Sequence, residues 1–90
     1  MALAMLRSIK WLKNHGVMLT YARAGKQIPR VYVPPDGALT VGQARQLLGV
    51  GQMRLYRLRE QGRIKFINGE PAMVALSELR RVAAELKAES

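Results

Sequence analysis

Residues 39–65 read LTVGQARQLLGVGQMRLYRLREQGRIK, and they carry the densest helix signals in the chain. Thr40 and Gln43 have the spacing of a capping box, in which each side chain bonds the backbone amide of the other at a helix N-terminus. Apolar residues recur at helical spacing as far as Leu48, and Gly49 is of the residue type that ends helices. This pattern predicts a short helix between Thr40 and Gly49.

A second short helix is predicted immediately afterwards. Gly51 precedes a run in which Met53, Leu55 and Leu58 continue the apolar helical spacing, and Gly62 ends that run. Only the three residues 49–51 separate the two helices. Two helices joined by so short a glycine-containing turn are typical of a helix-turn-helix unit.

Downstream of these helices we expect a small hairpin and a last helix. Residues 64–67 and 72–76 are its predicted strands, and Asn68-Gly69 is a strong signal for a two-residue hairpin turn. Ser77 is the expected cap of the last helix, with Glu78 in its first turn. The apolar face of that helix consists of Leu79, Val82, Ala83 and Leu86.

Upstream, the apolar spacing within residues 2–14 predicts a helix whose opposite stripe carries Arg7, Lys10 and Lys13. Residues 17–23 and 28–33 follow as predicted strands of a hairpin that turns at residues 24–26. Proline at position 29 is expected to keep the second strand at a sheet edge or to shorten it, because proline has no amide hydrogen to donate.

A turn composition at residues 34–37, Pro-Pro-Asp-Gly, divides the chain into two predicted parts. Residues 1–38 form a basic N-terminal extension of helix and hairpin, and residues 39–90 form the helix-turn-helix domain. The expected fold class is α+β.

The charge of the chain is strongly positive and unevenly placed. The 90 residues hold 15 Lys and Arg against 6 Asp and Glu, a net charge of +9 with 49% hydrophobic residues. Residues 39–65 carry six basic residues and one acid, residues 1–38 carry six and one, and residues 66–90 carry three and four. A folded cationic module of this kind favours an anionic polymer as partner.

The composition also argues against several classes of function. There is no Cys, and His15 is the one histidine, so zinc sites, thiol catalysis and His-based triads are not expected. No Gly-rich phosphate loop or paired carboxylates are found. We therefore predict no catalytic residues, no metal and no cofactor, and a protein that is not an enzyme. With no export signal or apolar run of membrane-spanning length, we expect a cytoplasmic, nucleoid-associated location.

Several anchors at fixed spacing resemble the MerR-like excisionase DNA-binding domain. They are Leu39-Thr40-Val41, Ala44, Leu47-Leu48-Gly49-Val50, Leu55-Tyr56-Arg57-Leu58 and Gly62-Arg63-Ile64. The resemblance covers about residues 39–86. It implies a winged helix-turn-helix that binds double-stranded DNA, with the second helix in the major groove and the wing along the backbone. It further implies a small transcriptional regulator or excisionase-like architectural factor of bacterial, phage or mobile-element type.

The sequence departs from that family at three places. Gly51 stands where Ser is usual, Arg54 replaces the usual Thr of the second helix, and the wing tip of residues 68–70 is acidic instead of basic. An acidic wing tip is repelled by phosphate, so it weakens the expectation of a minor-groove wing contact.

The predicted DNA contacts lie mainly on the second helix. Gln52 suits a bidentate bond to adenine, and Arg54 or Arg57 to guanine. Tyr56 and Arg59 suit phosphate. The remaining predicted backbone contacts are Arg45, Arg63 and Lys65. If about six phosphates are neutralised, a plot of log affinity against log salt has a slope of about −5.

Other interpretations of the same residues stay open. Arg54, Arg57 and Arg59 are also consistent with a solvated helix face, and Tyr56 with a packing residue. The main alternative function is a protein-interaction adaptor, such as a terminase small-subunit-like docking module that uses the N-terminal helix. RNA binding is weaker, because the sequence shows no aromatic stacking platform.

The predicted N-terminal helix itself has three interpretations. It packs on the winged domain, pairs with a second copy to form a homodimer, or lies on an anionic membrane surface. We rank the three in that order, so membrane binding is the least expected of them.

Overall fold

Four strands, two helices, a fifth strand and a third helix follow one another along the described part of the chain, which is residues 5–22 and 29–89 of a computed structural model. The strands are Met5–Trp11 (β1), Val17–Ala22 (β2), Arg30–Val33 (β3), Ala38–Thr40 (β4) and Met73–Ala75 (β5). The helices are Val41–Leu48 (α1), Gln52–Glu60 (α2) and Leu76–Glu89 (α3). This small α+β architecture agrees with the expected fold class. Within the described ranges, every helix is too short or too polar to span a lipid bilayer.

The first three strands form one antiparallel sheet in the order β1-β2-β3. Its register pairs Val17 with Trp11 on one side and with Val33 on the other. The predicted pairing of residues 17–23 with 28–33 is confirmed over the described residues, and β3 lies at the sheet edge, as Pro29 indicated. The predicted turn at residues 24–26 lies outside the described residues.

The prediction of a helix over residues 2–14 is wrong, because Met5–Trp11 is a strand. Its pairing with β2 is irregular between Leu6 and Ser8, as in a β-bulge. The extra residue of a bulge lets Leu6 and Ile9, three positions apart, both face the core. A three-residue spacing also fits a helix, which explains the error. The homodimer, membrane and adaptor interpretations all required an N-terminal helix, and these residues form a strand instead.

A second, two-stranded sheet pairs β4 with β5 and replaces most of the predicted wing. Residues 64–67 do not form a strand, and the pairing between the two predicted wing strands is reduced to a single bridge between Ile67 and Met73. Residues 68–72 therefore form a longer loop than the two-residue turn expected. β5 instead pairs mainly along its other edge, where Val74 is buried opposite Leu39 of β4.

The helix ends follow the sequence closely. The Thr40 Oγ1 accepts a hydrogen bond from the Gln43 amide at 3.2 Å, and the Gln43 Oε1 accepts one from the Thr40 amide at 3.1 Å, which confirms the capping box. Gly49 ends α1 with a φ of 68°. The last helix begins at Leu76, two residues earlier than a cap at Ser77 predicts, so Ser77 lies in its first turn.

One hydrophobic core joins the two predicted parts of the chain. Val17 and Leu19 of β2 belong to the same buried cluster as Leu39 of β4, Leu55 of α2 and Leu79 of α3. The Gln43 Nε2 also donates a hydrogen bond to the Tyr21 hydroxyl at 3.0 Å, which ties α1 to β2. The N-terminal sheet is thus packed on the helices, and the core crosses the predicted boundary between residues 38 and 39.

Candidate nucleic-acid interface

Helix α2 is held to the core by its leucines and by the residues at its two ends. Leu55 and Leu58 are buried, and Val50 in the turn before the helix is buried as well. At the other end, the Arg63 amide donates to the Leu58 carbonyl at 2.9 Å, and Ile64 is buried. These buried residues and the hydrogen bond determine which residues of α2 are exposed to solvent.

All five site residues predicted on α2 are exposed in the structure. Together with Met53 they form a surface that we call the α2 face: Gln52, Met53, Arg54, Tyr56, Arg57 and Arg59. Sequence analysis placed Met53 on the apolar pattern of the helix, yet its side chain is 79% exposed. Two shallow grooves run along this helix, and Met53 and Arg57 line both of them.

Phe66 organises one flank of the α2 face. The Tyr56 ring meets the Phe66 ring edge to face with 5.8 Å between centroids, and the Arg59 Cζ lies 5.0 Å from the Phe66 ring centroid. These aromatic and cation–π contacts restrain both side chains from below while they stay exposed. Tyr56 therefore packs on Phe66, as one of its two interpretations predicted, and its phosphate contact stays a prediction. Sequence analysis missed Phe66, because a lone phenylalanine in an expected wing strand carries no binding signal.

Arg63 differs from the other predicted contacts because its charge is already paired. Its guanidinium forms ion pairs with Glu85, at 3.5 Å, and with Glu89. The hydrogen bond to Glu89 raises the pKa of Arg63. The geometry makes Arg63 a link between the end of α2 and α3, with less of its charge available to an external anion.

A second arginine strengthens the same link. The Arg81 Nη2 donates to the Arg63 carbonyl and to the Glu78 Oε1, both at 2.7 Å. Glu78 also accepts the Lys65 amide at 3.0 Å. The raised pKa of Arg81 has the hydrogen bond to Glu78 as its largest cause. This network fixes the backbone of residues 63–65 and leaves the Lys65 side chain exposed.

The remaining basic residues of the site have no such partners. Within residues 5–22 and 29–89, no carboxylate forms an ion pair with Arg45, Arg54, Arg57 or Lys65. Arg45 lies exposed on α1, one helix before the α2 face. Acidic side chains neutralise the α3 side of the molecule. Helix α2 keeps a net positive charge, because Glu60 is its one acidic residue against three arginines.

The described residues hold no group of three or more His, Asp or Glu side chains arranged to bind a metal ion. Comparisons with protein-family models, with curated proteins and with solved structures give no match to this chain. The similarity of residues 39–86 to the MerR-like excisionase domain therefore stays a prediction carried by the residues quoted for it.

Proposed function

We propose that this protein binds double-stranded DNA and that α2 is the helix that enters the major groove. The observation that carries the proposal is the α2 face, which presents glutamine and unpaired arginines from a helix whose other side is anchored by two buried leucines. A rigidly held helix of this kind is how helix-turn-helix proteins bring side chains to base edges.

The proposed roles follow from side-chain chemistry and position. Arg54 and Arg57 match the paired acceptors of guanine, and Gln52 at the start of the helix matches adenine. Tyr56 and Arg59, restrained by Phe66, suit the phosphate backbone on one flank. Arg45 and Lys65 add further backbone contacts.

The proposed protein differs from a typical winged helix-turn-helix in two features. Arg63 becomes a positioning residue, because its ion pairs with α3 hold the end of α2 in place. The wing reduces to the loop of residues 68–72, which carries Glu70 and adds no cation to the backbone. The proposed activity is that of a small transcriptional regulator or excisionase-like architectural factor, located at the nucleoid.

The first experiment selects bound duplexes from a random pool and then measures affinity for the selected site. Arg54→Ala and Arg57→Ala should each weaken specific binding by about 1–3 kcal/mol, because a bidentate arginine–guanine contact is worth that much. Arg80→Ala is the control, since Arg80 is an equally exposed arginine on α3. Unchanged affinity and sequence preference in both α2 variants, with the fold intact, would overturn the assignment.

Salt dependence separates this function from the adaptor alternative. Neutralisation of about six phosphates gives a log–log slope of about −5 for duplex binding. A protein that fails to bind duplex DNA at low salt, and instead binds a protein partner with little salt dependence, would support the adaptor alternative.

A further inference from the structure

The sheet of β1, β2 and β3 has a second face that points away from the core. The register places Ser8, Thr20 and Arg30 in one row across the three strands, and Lys10, Met18 and Tyr32 in the next. We call these six residues the open sheet face. The opposite face carries the core residues Val17 and Leu19.

The open sheet face contains a basic depression. Its lining consists of Ser8, Lys10, Leu12, Met18, Thr20 and Arg30. Two hydroxyls and two cations therefore surround a shallow space, and no carboxylate among the described residues forms an ion pair with Lys10 or Arg30. The first acidic residue in the chain is Asp36, beyond the end of β3. Hydroxyl groups and cations placed together in this way can bind a phosphate group.

Beside the depression lies an aromatic ring that is exposed and yet held in place. Tyr32 is 47% exposed, and its hydroxyl accepts a hydrogen bond from the Asn14 Nδ2 at 2.7 Å. The Asn14 Oδ1 in turn accepts the Gly16 amide at 2.9 Å. A Cβ at position 16 would lie 3.0 Å from the Tyr32 ring and 2.7 Å from the Val33 carbonyl oxygen. The turn before β2 thus packs tightly against Tyr32.

We propose that the open sheet face binds single-stranded nucleic acid, with backbone phosphates at Lys10 and Arg30 and a base stacked on Tyr32. A base can stack on a fixed, exposed aromatic ring only if it is not already stacked inside a duplex. Single strands provide such bases, and an intact duplex does not. A sheet face also has no projecting helix to place in a major groove. This site is separate from the α2 face and does not depend on the function proposed for it.

Binding of a short labelled oligothymidylate at low salt, followed by fluorescence anisotropy, tests the proposal. The double variant Lys10→Ala/Arg30→Ala and the single variant Tyr32→Leu should each weaken binding by about tenfold or more. Tyr32→Phe keeps the ring and should retain most of the affinity. The control is Arg80→Ala, which should bind the oligonucleotide like the unchanged protein. Arg54→Ala/Arg57→Ala is measured alongside and should lose less affinity than the Lys10/Arg30 variant.

Three results would overturn the assignment. The first is unchanged affinity in both the Lys10/Arg30 and the Tyr32→Leu variants, with folding verified by circular dichroism. The second is an equal loss in the Arg54/Arg57 variant, which would place the single strand on the α2 face. The third is a loss in the Lys10/Arg30 variant alone, with inorganic polyphosphate competing equally well, which would make the face a general anion surface. Duplex binding, measured in parallel, tests the α2 proposal separately.

Discussion

Gly49 is the residue on which the connection between α1 and α2 depends. Its φ of 68° is in the left-handed region, and its amide donates to the Arg45 and Gln46 carbonyls that close α1. The chain then turns so that Val50 enters the core and Gly51 becomes the N-cap of α2. A residue with a Cβ is strained in this backbone conformation, whereas glycine is not.

Gly49→Ala should lower the free energy of unfolding by about 1–2 kcal/mol, through backbone strain alone. No atom lies within 4 Å of the Cβ that alanine would add, so steric contact makes no contribution. Gly42→Ala is the matched control, because its Cβ site is equally open and its backbone is helical. That control should raise the free energy by about 0.4–1 kcal/mol in denaturant unfolding. Shifts of the same sign in both variants would contradict this account.

At the same scale, sequence could predict that the arginines of α2 are exposed, but not that Met53 is exposed as well or that Arg63 is already paired. The spacing of Leu55 and Leu58 identified the buried side of the helix and hence the exposed arginines. Arg63 pairs with Glu89, 26 residues further along the chain, because the end of α3 lies beside the turn that follows α2. No local pattern carries that information.

At the scale of elements, the helices were predictable because the residues that begin and end each helix lie close together in the sequence. Thr40, Gln43 and Gly49 act within a few residues of one another. The strands depend on partners far along the chain, as β5 depends on β4. In β1, an irregularity in the pairing puts two core-facing residues three positions apart, which is also a helical spacing. Burial of Val74 against Leu39 decides the pairing of β5, and the Asn68-Gly69 signal did not reveal it.

The contact between α1 and β2 gives a prediction at this scale. Tyr21→Phe removes the acceptor of the Gln43 side-chain hydrogen bond and should cost about 0.5–1.5 kcal/mol of unfolding free energy. Tyr32→Phe is the control, because the bond that its hydroxyl accepts from Asn14 is exposed. The control should change stability by less than about 0.5 kcal/mol in the same denaturant titration. Equal losses in both variants would contradict the proposed docking of α1 on the sheet.

At the scale of the whole molecule, the shared core and the uneven charge have different consequences. The core makes the N-terminal sheet and the helices one packing unit. The charge leaves basic residues on the α2 face and the open sheet face, while α3 carries the carboxylates that pair with Arg63 and Arg81. Neither arrangement follows from the net charge of +9 alone.

A single core predicts a single unfolding transition. Trp11, the one tryptophan, lies in β1 and packs against the core, whereas the helices of the described chain all lie within residues 41–89. Tryptophan fluorescence therefore reports the N-terminal sheet, and circular dichroism at helical wavelengths reports the rest. The two denaturant transitions should coincide. A fluorescence transition at clearly lower denaturant would show that residues 5–33 unfold independently.

The central claim is that the α2 face contacts duplex DNA, and a backbone-amide NMR titration with a selected duplex tests it most directly. We predict that the largest chemical-shift changes fall in residues 52–59, with smaller changes near Arg45 and Lys65. Residues 76–89, in which acidic and basic residues balance, should change least. Changes confined to α3 or to β1–β3, with residues 52–59 unaffected, would contradict the claim.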